Sequence, residues 1–173
     1  MSKILISACL LGEPVRYDGK SLASEHPLIK QWLAQQCLIP FCPEVAGGLP
    51  TPRAAAEIIV HSGQLVGGQA LLSNQASVQT QAGVDVSAPF MKGAQLALEL
   101  CQQHDIRFAL LSARSPSCGN ETIYNGQFNK TLIEGLGVTA ALLKQHGIEV
   151  FNQFEIEQLA LRIEPQTHTQ KSH

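Results

Sequence analysis

Short apolar runs alternate along this chain with longer stretches of helical period. Residues 3–7 (Lys-Ile-Leu-Ile-Ser) form a β-branched run without polar alternation, as expected of a strand covered on both faces. Residues 25–36 then place Leu28, Ile29, Trp32 and Leu33 on one helical face, with Pro27 in the first turn, where its missing N–H is tolerated. Residues 37–41 read as a second strand, after which Pro43 drives Cys42 out of the helical region. Residues 56–60 and 64–66 predict a hairpin turning at Ser62-Gly63. Residues 71–81 are polar and aperiodic and read as a mobile loop, a lid or a weak helix.

Farther on, Asp85-Val86-Ser87 caps a predicted helix over 88–104, with Met91, Ala94, Gln95, Leu98 and Cys101 at helical spacing. Residues 107–111 (Arg-Phe-Ala-Leu-Leu) are the third core strand. Residues 121–124 and 127–128 predict a tight hairpin, because Asn125-Gly126 favours a type I′ turn. Gly135-Leu136-Gly137 opens a helix over 138–146 that Gly147 closes, followed by a last strand at 148–151 and a last helix at 153–162. Strands alternating with helices predict a single α/β domain over residues 1–163, its mainly parallel sheet flanked by helices. Residues 164–173 are polar and read as a disordered tail.

Composition narrows the function classes. With 173 residues, 45% of them hydrophobic and 15% charged, the chain can bury a real core unaided. The formal net charge is −2 and the cations are scattered, so nucleic acid is not an expected partner. No apolar run approaches the ~20 residues that a membrane span needs. Ile6-Ser7-Ala8-Cys9 looks like a lipoprotein cleavage box, but the eight residues up to Ala8 cannot hold both a charged start and ~7–15 apolar residues. The expectation is a cytoplasmic protein, a monomer or small homo-oligomer, with reduced thiols. Its five cysteines cannot all pair within one chain.

Those cysteines divide into two groups. Cys37 enters a strand and Cys101 lies on the apolar side of the long helix, where a thiol is a small hydrophobe. Cys9, Cys42 and Cys118 instead lie just past predicted strands, in loops rich in Gly, Pro and Ser. Ligands of open parallel sheets bind outside the carboxyl ends of the strands, so three thiols at that edge can hold a soft metal centre with one position open. Their spacing matches neither zinc knuckles nor ferredoxin runs. Zinc completed by water is one candidate. A [4Fe–4S] cluster is another, and three thiols would leave one iron without a protein ligand and open to substrate sulfur.

Polar residues beside the thiols supply further candidates. Glu44 follows Cys42 by two positions, and extended backbone would put both on one side, where a carboxylate can orient or deprotonate water. Ser115 and Ser117 flank Pro116 just ahead of Cys118 and offer donors to cluster sulfurs or a substrate carbonyl oxygen. Asp18, in the Arg-Tyr-Asp-Gly turn, and Arg53 can contact substrate or merely tie two loops together. Gly47-Gly48, Gly67-Gly68 and Gly135-Leu136-Gly137 lack the strand–G-x-G-x-x-G–helix setting of a dinucleotide site.

At these same loops the chain resembles the thiouracil desulfurase family. Ser7-Ala8-Cys9-Leu10-Leu11-Gly12 with Arg16-Tyr17-Asp18-Gly19 looks like its opening motif. Cys42-Pro43-Glu44-Val45 with Gly48-Leu49 and Pro52-Arg53 looks like the second, and Ser115-Pro116-Ser117-Cys118-Gly119 like the third. The similarity runs from about residue 3 to 152. It implies a Rossmann-like α/β domain holding a [4Fe–4S] cluster on Cys9, Cys42 and Cys118. It also implies removal of sulfur from a thiolated uracil, a small-molecule nucleobase, by non-redox C–S cleavage. Glu44 matches an acid/base position and Ser115, ahead of Ser117, a substrate-side serine. Three rivals remain: a Cys₃-zinc hydrolase of a nucleobase-like amide, a redox or iron sensor whose cluster turns nothing over, and a nucleotide-binding module with buried thiols and no metal.

Overall fold

The structure, a computed structural model, describes residues 2–163, so the expectation of a disordered tail at 164–173 lies outside the described residues. Strand β1 (Ile4–Ser7) is the centre of the molecule, with all four residues buried, as its uninterrupted apolar run requires. It pairs in parallel with β2 (Leu38–Phe41) on one side and β5 (Phe108–Leu111) on the other, and β5 pairs in parallel with β8 (Glu149–Asn152). The sheet order is β2-β1-β5-β8. Pro40 lies in β2, an edge strand, where a missing backbone donor does least harm.

Helices cover both faces. On one, α4 (Ser87–Gln103) and α5 (Val138–Gln145) pack Leu98, Cys101 and Leu143 against Leu5, Ala109 and Leu111. On the other, α1 (Pro27–Ala34) and α6 (Ile156–Ile163) pack Ile29, Trp32 and Leu159 against Ile4, Ile6 and Leu110. Alternation along β1 explains the division, since Ile4 and Ile6 point to one face and Leu5 to the other. The expected α/β class and parallel sheet are therefore present.

Three local expectations fail. The predicted hairpin at residues 56–66 does not form. Instead β3 (Ala56–Val60) pairs antiparallel with β4 (Ala76–Thr80), and α3 (Gly67–Leu72) is inserted between them. Part of the presumed loop at 71–81 is thus a strand. Its buried positions include Ser77 and Thr80, and Ser77 is satisfied by a 2.7 Å hydrogen bond with His61. Internally paired hydroxyls disguised a half-buried strand as a polar segment. Likewise β6 (Thr122–Tyr124) pairs with β7 (Leu132–Glu134), not with residues 127–128. The carboxylate of Glu57 accepts the N–H groups of Gly126 and Phe128, at 2.9 and 3.3 Å, and holds residues 125–131 as a wide loop.

Candidate functional site

The chain runs from β1 outward to β2, then crosses back over β1 to β5. That reversal opens a crevice beyond the carboxyl ends of β1 and β5, the usual ligand position in such sheets. A cavity of about 810 Å³ occupies it. Cys9 follows β1 in a 3₁₀ turn (Ala8–Leu11), Cys42 directly follows β2, and Cys118 follows β5, and all three line the cavity. Three adjacent strands thus deliver three thiols to one place. Among the described residues no three His, Cys, Asp or Glu side chains converge closely enough to share a single metal ion.

Electrostatics show that the thiols sense one another. Burial, above all, raises the pKa of Cys9, and the neighbouring charge of Cys42 adds to it, while the Ser112 hydroxyl favours its thiolate. Cys42 is raised by burial and by Glu44, with the backbone N–H groups of Val45 and Glu44 working the other way. Cys118 is raised most, by burial and then by Glu44, Cys42 and Cys9. Raised pKa values favour the protonated thiols, and a cationic centre held by them would displace those protons.

The stretch after Cys42 is not extended as expected. Pro43 instead starts a one-turn helix, α2 (Pro43–Ala46), with Cys42 as its N-cap and Glu44 in the first turn. Two glycines pin this turn onto α4. A Cβ at Gly47 would fall 2.0 Å from the Pro89 carbonyl oxygen, and one at Gly93 would fall 2.0 Å from that of Pro43. Neither position can carry a side chain without moving Cys42 and Glu44.

The Arg53 side chain is 6% exposed, and both of its terminal nitrogens are engaged. It donates to Glu44 Oε2 at 2.6 Å, to the Val15 carbonyl at 3.0 Å, and to Pro50 O and Thr51 Oγ1 at 3.1 Å each. Its geometry is that of a tie between the Cys9 and Cys42 loops that also fixes one oxygen of Glu44, whose side chain lines the cavity. Asp18 does not line the cavity. Its carboxylate accepts the Lys20 N–H at 3.0 Å and lies 3.8 Å from Arg16, closing an exposed turn.

The two serines before Cys118 separate. Ser115 lines the cavity, and its Oγ accepts the N–H groups of Ser117 and Cys118 at 3.0 and 2.9 Å, which leaves its own O–H free to donate. Ser117 is 1% exposed and shares a 2.8 Å hydrogen bond with Thr139 of α5, away from the cavity. The loop is fastened to the start of α5. Val138 N–H donates to Pro116 O at 2.9 Å, and those of Thr139 and Ala140 to Ser117 O at 2.8 and 3.2 Å. Gly137 permits the contact, since a Cβ there would lie 2.4 Å from the Ser117 carbonyl.

Sequence reasoning missed the rim and one inner hydroxyl. Arg16 stacks on Tyr17 and Arg114 on Phe154, at 5.8 and 5.9 Å, and all four line the cavity. Phe154 is 70% exposed, and such an aromatic beside a cavity offers a flat apolar face to a planar ligand. Ser7, quoted only as part of a motif, ends β1 and lines the same cavity. Its one available signal was a polar residue closing a fully apolar strand.

Comparison with known proteins agrees with this geometry. A family model described as 2-thiouracil desulfurase matches residues 4–155. An uncharacterized protein of Bacillus subtilis, YbbK, is 40% identical over 156 residues, covering 90% of this chain and 99% of that one. The solved structure of the [4Fe-4S]-dependent thiouracil desulfidase TudS is 47% identical, with a TM-score of 0.82 over 94% of this chain and 97% of that one. The chain belongs to the 2-thiouracil desulfurase family.

Proposed function

We propose that this protein removes sulfur from a thiolated pyrimidine of the 2-thiouracil or 4-thiouracil type, with Cys9, Cys42 and Cys118 holding a [4Fe–4S] cluster. The observation that carries this reading is the delivery of three thiols and one carboxylate to a single cavity at the sheet's reversal point. The donor set suits the group. The ligands are all sulfur, they line one cavity, and each thiol has O–H or N–H groups favouring its thiolate.

The bound cluster would supply a Lewis-acidic iron with no protein ligand, able to take the substrate's sulfur and polarise its carbon. Around that centre the chain's own residues orient and transfer protons. Arg53 fixes Oε2 of Glu44, which leaves Oε1 to take a proton from a water that adds to the carbon. Ser115 Oγ, held by two backbone donors, can give a hydrogen bond only outward and orients the ring. The aromatic rim formed by Tyr17 and Phe154 covers the planar base. The water's oxygen stays on carbon and sulfur leaves as sulfide, so no electrons change hands and no second redox cofactor is needed.

The test is iron and acid-labile sulfide per chain, on protein purified without oxygen, followed by uracil formation from 2- and 4-thiouracil. Roughly four of each with turnover is the expected result. A full cluster without turnover would favour the sensor reading, and absence of iron would overturn the proposal.

A further inference from the structure

One buried hydroxyl at the reversal point has no part in the chemistry above. Ser7 ends β1 on the face shared by Leu5, which packs in the same apolar cluster as Cys118. It is 4% exposed, so a hydroxyl there needs internal partners. Its Oγ accepts the Ser112 N–H at 2.9 Å, which links the ends of β1 and β5. That bond uses an acceptor site and leaves the hydroxyl's proton to be donated. The acceptor it finds is Cys118 Sγ, at 3.9 Å. The separation is long for a neutral thiol, and a thiolate is the stronger acceptor.

We infer that Ser7 is a positioning residue of the iron–sulfur centre, its Oγ–H donating to the Cys118 sulfur while the Ser112 N–H keeps the hydroxyl turned that way. The inference rests on the cluster reading above. A donor on a ligand sulfur draws electron density from the metal centre and stabilises its reduced form, which raises the reduction potential. The same withdrawal strengthens the Lewis acidity of the iron. Ser7 lines the same cavity as Ser115 and Glu44, but its hydroxyl is taken up by Ser112 N–H and the Cys118 sulfur, so it tunes the centre through that ligand.

The experiment compares anaerobically reconstituted wild-type protein with Ser7→Ala and Ser7→Thr, reading iron and sulfide content and then the cluster's midpoint potential. The expectation is full loading in all three, a more negative potential in Ser7→Ala, and a return toward the wild-type value in Ser7→Thr. Fully loaded Ser7→Ala with an unchanged potential would overturn the inference and leave the desulfidase reading intact. Wild-type protein that takes up no iron would overturn both together. If Ser7→Ala does not load, Ser7→Val against Ser7→Thr repeats the comparison at constant shape. A more negative potential in Ser7→Val, or loading of Ser7→Thr alone, supports the role of the hydroxyl. Equal potentials, or failure of both to load, overturns it.

Discussion

Cys101 and Cys118 belong to the same apolar cluster and are nearly equally hidden, at 1% and 6% exposed. Burial pushes the Cys101 thiol up to about 11, and nothing else acts on it. Cys118 is pushed up by burial too, but also by Glu44, Cys42 and Cys9, and its backbone N–H is held by Ser115. One thiol sits in the last turn of α4 among hydrocarbons; the other sits in a loop beyond a strand end among ionisable groups and donors. Burial does not distinguish a cavity-lining cysteine from a packing one here. Placement relative to the carboxyl edge of the sheet does, because that edge gathers loops distant in sequence.

The sharpest way to break this comparison is to remove thiols from each region. Ala in place of Cys9, Cys42 or Cys118 is expected to abolish iron binding, since each would leave a metal corner without its ligand. Cys101→Ala and Cys37→Ala should keep full iron and lose only about 1 kcal/mol of stability each, for a small void in the core. Iron analysis beside thermal unfolding separates the groups. Full iron in Cys42→Ala, or none in Cys101→Ala, would mean that the edge is not what distinguishes them.

Glu44→Gln comes next in size. It keeps the shape of α2 and the cluster ligands but removes a proton acceptor, so turnover should fall by ~10²–10⁴-fold with iron unchanged. Arg53→Lys should cost less, because a single ammonium keeps charge beside Glu44 but cannot span Val15, Pro50 and Thr51 as the guanidinium does. Wild-type turnover in Glu44→Gln would remove the carboxylate from the chemistry.

Much of this contrast was legible in the sequence, for a physical reason. Buried parallel strands such as residues 3–7 announce themselves by apolar runs, and the residues just after them fall at the ligand edge whatever the details of the loops. Cys9, Cys42 and Cys118 could be picked out on that ground, and Cys37 and Cys101 set aside. Side-chain direction was not legible. Ser115 and Ser117 are equivalent in sequence, yet one lines the cavity and the other bonds Thr139, because Ser117 packs under the start of α5, where Thr139 lies 22 residues farther on. Asp18 read as a substrate contact or a loop tie, and it is absent from the lining although Arg16 and Tyr17 of the same turn are in it. The spacing of Cys42 and Glu44 suggested a shared side through extended backbone. The one-turn helix there depends on Gly47 meeting Gly93 and Pro89, a contact across nearly fifty residues that no local pattern encodes.

Gly47→Ala tests that long-range support directly. The added methyl meets backbone, not a flexible side chain, so α2 must shift at a cost of ~1–3 kcal/mol. Because Cys42 and Glu44 ride on that turn, turnover should fall more than stability alone explains, with the fold retained by circular dichroism. An active, equally stable variant would show that α2 can slide without disturbing the site.

The smallest expected effect falls on α4 at the end that does not carry Cys101. Asp85 Oδ1 accepts the Ser87 N–H at 2.8 Å, and Ser87 begins the helix. The hydroxyl and N–H of Ser87 hold the Asp85 carboxyl below its usual range. A carboxyl whose folded pKa is depressed contributes stability that is fully present above the unfolded value of ~3.9, and it is lost as pH falls through the folded value. Asp85→Asn should therefore flatten the acid limb of the stability curve. Asp85→Ala should cost ~0.5 kcal/mol at neutral pH, because it removes one exposed hydrogen bond from the residue before the N-cap, Val86. Neither change touches the carboxyl edge, so iron content and turnover at 25 °C should match wild type. Loss of iron in Asp85→Ala at full helicity would show that the packing region and the metal region are coupled through α4, and would undo the separation on which the comparison of Cys101 with Cys118 depends.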